Sequence, residues 1–193
     1  MVEVGHRPFA RPYRRPRRDN DGNLVVTMPA RLASGAMQSG EHGPVLIYAV
    51  AQALDATGSG RALIQDVARE LRVVYRGRHV ARWLEHPKAG RYWRVDRQYL
   101  VLRGMRAVLD SFECELPDNG LAIHVSMGLL DFPRRRNAFL LAAVMAGADH
   151  YRSRAFVEKF ARVNRKTLGL WKRDPVIWDQ LLGWEPRWAE AST

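Results

Sequence analysis

Gly77-Arg78-His79-Val80-Ala81-Arg82-Trp83-Leu84-Glu85-His86-Pro87, and soon after it Gly90-Arg91-Tyr92-Trp93-Arg94-Val95-Asp96-Arg97-Gln98-Tyr99-Leu100-Val101-Leu102-Arg103, is the stretch on which the fold turns. In its first half Val80, Trp83 and Leu84 fall on one helical face and Pro87 stops the helix. Arg76, Arg78, His79 and Arg82 are then left pointing outward. In its second half two strand-like runs flank Asp96-Arg97-Gln98, which predicts a β-hairpin carrying Arg91, Arg94 and Arg97. A second register also fits, one long helix from Asp96 to Phe112 that abolishes the hairpin. The segment 103 to 113 is expected to be helical, because Met105, Val108, Leu109 and Phe112 are spaced i, i+3, i+4, i+7.

Working backward, Pro44 opens a helix running to about Thr57, and Gly58-Ser59-Gly60 ends it. Ser59 is a fitting N-cap for a second helix over 60–72, where Leu63, Ile64, Val67, Ala68 and Leu71 form a core-facing stripe. Three helices followed by a basic hairpin resemble the winged helix-turn-helix family over residues 44–103. The resemblance implies that the third helix enters the major groove of DNA and that the hairpin, the wing, touches backbone or minor groove. A plain helical bundle with a solvated arginine face is the competing reading.

Further out, Asn23 to Met28 alternates as a strand. Its natural partner is residues 121–127, where Leu121, Ile123, Val125 and Met127 alternate with polar or small residues after Asp118-Asn119-Gly120. Residues 29–43, with Pro29, Gly35, Ser39, Gly40 and Gly43, read as a loop. Residues 1–22 form an arm with prolines at 8, 12 and 16 among Arg7, Arg11, Arg14, Arg15, Arg17 and Arg18, expected to stay disordered until it meets a partner. Extended, thirteen residues span roughly 40 Å, about one duplex turn.

The C-terminal part holds an apolar helix, Asn137 to Ala148, a second helix, Arg154 to Val163, and then Arg165-Lys166-Thr167-Leu168-Gly169-Leu170-Trp171-Lys172-Arg173-Asp174-Pro175. Residues 152–182 resemble the homeodomain-like helix-turn-helix of phage small terminase subunits and mobile-element proteins. That likeness implies that Thr167 caps the recognition helix, that Trp171 and Trp178 pack it, and that Arg165, Lys166, Lys172 and Arg173 face DNA. The runs Arg61 to Arg69 and Arg154 to Arg162 also align weakly, as a duplication would. The expected organisation is an arm (1–22), a winged helix-like domain (23–130) and a helical domain (131–193), in a mainly α fold of helix-turn-helix bundles with a small hairpin and a short two-stranded sheet.

The composition points the same way. Of 31 Lys and Arg only four are lysines (Lys88, Lys159, Lys166, Lys172), and the formal net charge is +11. Guanidinium is always charged and its planar fork fits phosphate and guanine edges. Arginine enrichment also follows from a GC-rich genome, but the clustering does not. Residues 60–106 hold twelve Lys/Arg against four Asp/Glu, and residues 152–173 eight against one. No apolar run reaches the roughly 20 residues of a membrane span, and the basic N-terminus lacks the apolar segment of a signal peptide. The single Cys114 excludes an intrachain disulfide, so a cytoplasmic, nucleoid-associated protein is expected.

Catalytic signals are thin. His79 and Arg82 fit the HxxR pattern of tyrosine recombinases, with Tyr92 or Tyr99 downstream as nucleophile, but no further cation set accompanies them. The histidines lack metal spacing, no phosphate-binding loop occurs, and neither cofactor nor metal is expected. The sequence therefore predicts a double-stranded DNA-binding protein without enzymatic activity, serving transcription control, replication or a phage or mobile-element process. It would act alone, as a homodimer or as a higher homo-oligomer. An RNA or single-strand binder that stacks bases on Tyr13, Tyr92, Trp93 and Tyr99 is the alternative.

Overall fold

The computed structural model describes residues 15–55, 57–74, 77–114, 122–130, 140–141, 143–144, 159–163 and 166. The elements are β1 (Val25–Pro29), α1 (Ala30–Ser39), α2 (His42–Leu54), β2 (Arg61–Leu63), α3 (Ile64–Val74), α4 (Gly77–Leu84), β3 (Trp93–Asp96), β4 (Tyr99–Leu102), α5 (Met105–Asp110) and β5 (Ala122–Ser126). Among the described residues helix dominates, and two small antiparallel sheets accompany it, β1 with β5 and β2-β4-β3.

The long-range strand pair read from alternation is present. Val25 faces Ser126 and Met28 faces Ile123 in an antiparallel ladder. Leu24, Val26 and Met28 are fully buried, while Thr27 on the other face meets His124 across the pair, Oγ1 to Nδ1 2.8 Å. The Met127 N–H donates to the Leu24 carbonyl at 2.8 Å and extends the ladder.

Residues 29–43 are not a loop. Ala30 to Ser39 form α1, entered from Pro29 in an extended conformation and closed by Gly40 at φ 73°, whose N–H returns to the carbonyls of Ala36 and Met37. The small residues that suggested a loop serve packing instead, since Gly35 lies under the Phe112 ring with no room for a methyl group.

The helix expected over 60–72 begins at Ile64. Arg61 to Leu63 form a strand, with Arg61, Ala62 and Leu63 opposite Val101, Leu100 and Tyr99. Ser59 is therefore not a helix cap; the Asp55 carboxylate instead accepts the N–H groups of Ser59 and Gly60 at 3.0 and 2.7 Å. Arg61 thus starts a strand while its counterpart in the weak internal alignment, Arg154, lies outside the described residues. At the other end of that alignment Arg69 is inside α3, whereas Arg162 leaves the helical turn Lys159 to Ala161 at φ 49°. The helix expected to reach Val163 accordingly stops two residues early.

Of the two registers open for 96–112, the hairpin is the one formed. Trp93, Arg94, Val95 and Asp96 pair with Leu102, Val101, Leu100 and Tyr99, and Arg97 at φ 54° makes the turn with Gln98. Helix resumes as α5, shorter than the expected 103–113, with Val108 and Leu109 buried on it and Phe112 buried just beyond its end.

Residues 15–22 are ordered, contrary to the expectation for them; the rest of the arm, 1–14, lies outside the described residues. Arg18 bridges to Leu24, the Val25 N–H donates to the Arg17 carbonyl at 2.8 Å, and Asp19 accepts the Ser126 hydroxyl at 2.5 Å. Buried apolar residues from both sides of position 130 share one cluster, in which Leu140, Leu141, Val144, Phe160 and Val163 join the side chains of α1 and α2. Ser34 of α1 secures this union by donating from Oγ to the Phe160 carbonyl at 2.8 Å.

Candidate nucleic-acid interface

The candidate interface is built on α2. This helix is buried along nearly its whole length, from Gly43 to Ala51, and α3 and α4 pack against it. Val80 of α4 is buried, and Trp83 and Leu84 are partly buried on the same core. Gly43, in the first turn of α2, leaves the space that the Trp83 ring fills. The His79 imidazole stacks on Trp83 at 6.3 Å between centroids and 20° between planes.

With Val80, Trp83 and Leu84 turned inward, Arg78, His79, Ala81 and Arg82 are exposed. Arg78 and Arg82 are one helical turn apart and share a face. Neither forms an ion pair with any described acidic residue. α3 ends at Val74 and α4 starts at Gly77, so two residues separate the helices; Arg76 is one of them and lies outside the described residues.

The hairpin stands beside these helices. The Ile64 N–H, at the start of α3, donates to the Gln98 carbonyl at 2.9 Å, so the hairpin turn is tied to α3. Arg94 and Arg97 are exposed. Arg61, not singled out by the sequence, lies on the outer face of this sheet, with Nη2 2.6 Å from Asp96 and its guanidinium over the Tyr99 ring.

Arg91 departs from expectation. Its side chain is only 24 % exposed, and Nη1 lies 3.1 Å from Oε1 of Glu41, a fully buried carboxylate that also has Lys88 Nζ at 3.5 Å. The guanidinium sits 4.3 Å from the centre of the Phe112 ring. Arg91 therefore sits beside a buried charge and not on the open surface with Arg94 and Arg97. Glu41 is the residue sequence reading missed. A lone acid before a helix gives no sign that folding will bury it, and only the two cations it collects explain how it is tolerated.

The same burial bears on the aromatic residues. Tyr92 and Trp93 are 0 % and 2 % exposed, so neither ring can stack on a base. Burial, reinforced by the Glu41 charge, pushes the Tyr92 hydroxyl far above the ordinary tyrosine range. Tyr99 is half-buried under Arg61.

Arg15, Arg17 and Arg18 are exposed, with Arg18 held by Glu70 at 2.6 Å and by the Gly22 carbonyl at 2.8 Å. Lys166 is exposed and helical. Arg7, Arg11, Arg14, Tyr13, Arg165, Thr167, Trp171, Lys172, Arg173 and Trp178 lie outside the described residues. Among the described residues no three His, Cys, Asp or Glu side chains converge as metal ligands, and no helix is long and apolar enough to cross a membrane. In comparisons with known protein families, curated proteins and solved structures, the chain matches none.

Proposed function

We propose that the chain binds double-stranded DNA through a winged helix-turn-helix spanning α2 to β4, with α4 as the recognition helix in the major groove and the β3–β4 hairpin as the wing. The observation that carries this reading is the division of α4 into two faces. One face is turned to the core through Val80, Trp83 and Leu84, with Trp83 against Gly43 of α2, and the other presents Arg78 and Arg82 unneutralised by any described acid. Guanidinium groups held this way match the N7 and O6 acceptors of guanine. Arg15, Arg17 and Arg97 add phosphate contacts, which supply affinity without sequence information.

The second unit, residues 152–182, completes the proposal. Lys166, in its basic stretch, is exposed, and together the two units would read a bipartite site in transcription control, replication or a phage or mobile-element process. Burial of Tyr92 and Trp93 removes two of the four rings that single-strand stacking would use.

Competition separates the readings. A labelled duplex bound by the full chain is challenged with unlabelled duplex, single-stranded DNA and RNA, at several salt concentrations. Duplex should compete best, and log K against log[salt] should fall with a slope of roughly −5 to −7 if about six to eight phosphates are neutralised. Equal or better competition by single strands or RNA, or a slope near zero, would overturn the proposal.

A further inference from the structure

Val95 is the one large apolar side chain that stands out as exposed among the described residues, at 60 %. It lies in β3, an outer strand of the β2-β4-β3 sheet. The register puts Val95 opposite Leu100, which in turn faces Ala62. Leu100 and Ala62 are buried, so Val95 belongs to the sheet's inner, apolar face and overhangs the edge where that face ends.

The backbone of β3 is open on the same side. The Arg103 N–H donates to the Tyr92 carbonyl at 2.8 Å. Alternation along an antiparallel pair then directs the N–H and C=O of Arg94 and Asp96 toward β4 and those of Val95 away from it. No described residue hydrogen-bonds to that outer edge.

An open edge with an apolar residue is a template for another strand, and proteins ordinarily guard such edges with charge. Here the guards are of opposite sign, Arg94 and Asp96, two positions apart with Val95 between them. Like charges would repel a second copy. An Arg-x-Asp strand does the reverse, because an antiparallel twofold pairing centred on Val95 sets Arg94 of each copy opposite Asp96 of the other.

We propose that two copies of this chain join edge to edge through β3, with Val95 facing Val95 across a twofold axis and two Arg94–Asp96 pairs flanking it, making one six-stranded sheet. The central pair exchanges both backbone hydrogen bonds, the two valines extend the inner apolar layer, and each charged pair occurs twice by symmetry. Asp96 keeps its pair with Arg61 of its own chain, since a carboxylate can accept from both guanidinium groups. This inference stands independently of the duplex reading.

Charge exchange tests it, with mass in solution followed by sedimentation velocity on the full chain. The unaltered protein should show a concentration-dependent dimer. Arg94→Asp, which sets carboxylate against carboxylate twice, should weaken it by about tenfold or more. Asp96→Arg should do the same, and an equimolar mixture of the two variants should restore a dimer, because both cross-strand pairs are then complementary again. Circular dichroism checks that each variant is folded. If either variant fails to fold, Val95→Cys in a Cys114→Ser background replaces it; the roughly 5.5 Å Cα separation of a hydrogen-bonded pair suits a disulfide, and mild oxidation should crosslink the chain as a dimer. A monomer at all concentrations, a dimer indifferent to Arg94→Asp, a mixture that stays monomeric, or a Val95→Cys chain that does not crosslink would each overturn the proposal.

Discussion

The indole of Trp83 rests on the α-carbon of Gly43, so closely that a methyl group at position 43 would overlap the ring. The orientation of α4 is thereby set by one missing side chain on α2. Gly43→Ala should cost about 1–3 kcal/mol of stability through overpacking and should weaken duplex binding by tilting Arg78 and Arg82 out of register. Urea unfolding and a binding titration check both effects. An unchanged midpoint would mean that α4 is positioned elsewhere.

Two arginines of the same basic region should behave oppositely. Arg91→Ala strands the Glu41 carboxylate in the interior beside Lys88 alone, and loss of a buried partner costs about 3–5 kcal/mol. Arg78→Ala removes an exposed, unpaired side chain and should stay within about 0.5 kcal/mol. Thermal melts of the two variants decide. If they melt alike, Arg91 is not the partner that makes a buried Glu41 tolerable.

For DNA, Arg82→Ala should weaken binding to the preferred duplex by about 1–3 kcal/mol and relax preference at one base position, with the melting temperature unchanged. Selection of bound fragments from random duplexes, repeated with the variant, reads both quantities. Full affinity and unaltered preference in a folded variant would remove α4 as the reading helix.

Tyr48 makes stability depend on alkaline pH. Its buried hydroxyl donates to the Arg103 carbonyl at 2.7 Å and accepts from Gln52 at 2.9 Å, and burial pushes it from 10.0 up to about 12. The unfolded phenol ionises first, so this contribution is whole below pH 10 and is lost as pH rises from 10 toward 12. Tyr92, raised for the same reason, acts in the same direction. Denaturant midpoints should therefore fall steeply above pH 10, and Tyr48→Phe should flatten that fall while lowering stability at neutral pH. A midpoint flat across this range would contradict it.

What was legible in the sequence followed from periodicity. The alternation at 23–28 and 121–127 identified two strands nearly a hundred residues apart, and the spacing of Val80, Trp83 and Leu84 identified the inward face of α4. What was illegible depended on partners distant in sequence. Gly35 and Gly43 looked like loop residues because their value lies in the Phe112 and Trp83 rings they admit. Leu63 belongs to the apolar stripe of α3 in the sequence, so only pairing with β4 reveals that Arg61 to Leu63 form a strand. Arg91 was indistinguishable from Arg94 as a cation until Glu41 was found buried next to it.

Truncation should tell the part of the N-terminal arm that pairs with the fold from the rest. Arg17 and Arg18 belong to the fold, since the Arg17 carbonyl accepts the Val25 N–H at 2.8 Å and Arg18 bridges to Leu24 and pairs with Glu70 at 2.6 Å. Removing residues 1–18 should thus cost roughly 1–3 kcal/mol, the net worth of a few hydrogen bonds, besides weakening binding. Removing residues 1–14 takes away Arg7, Arg11 and Arg14 but none of those contacts. The melting temperature should then hold, while affinity falls on every duplex sequence and the salt slope becomes shallower by about 2 to 3. If both truncations melt alike, the contacts of residues 15–18 carry no stability. If the shorter truncation leaves affinity and salt slope untouched, the arginines at 7, 11 and 14 do not meet phosphate.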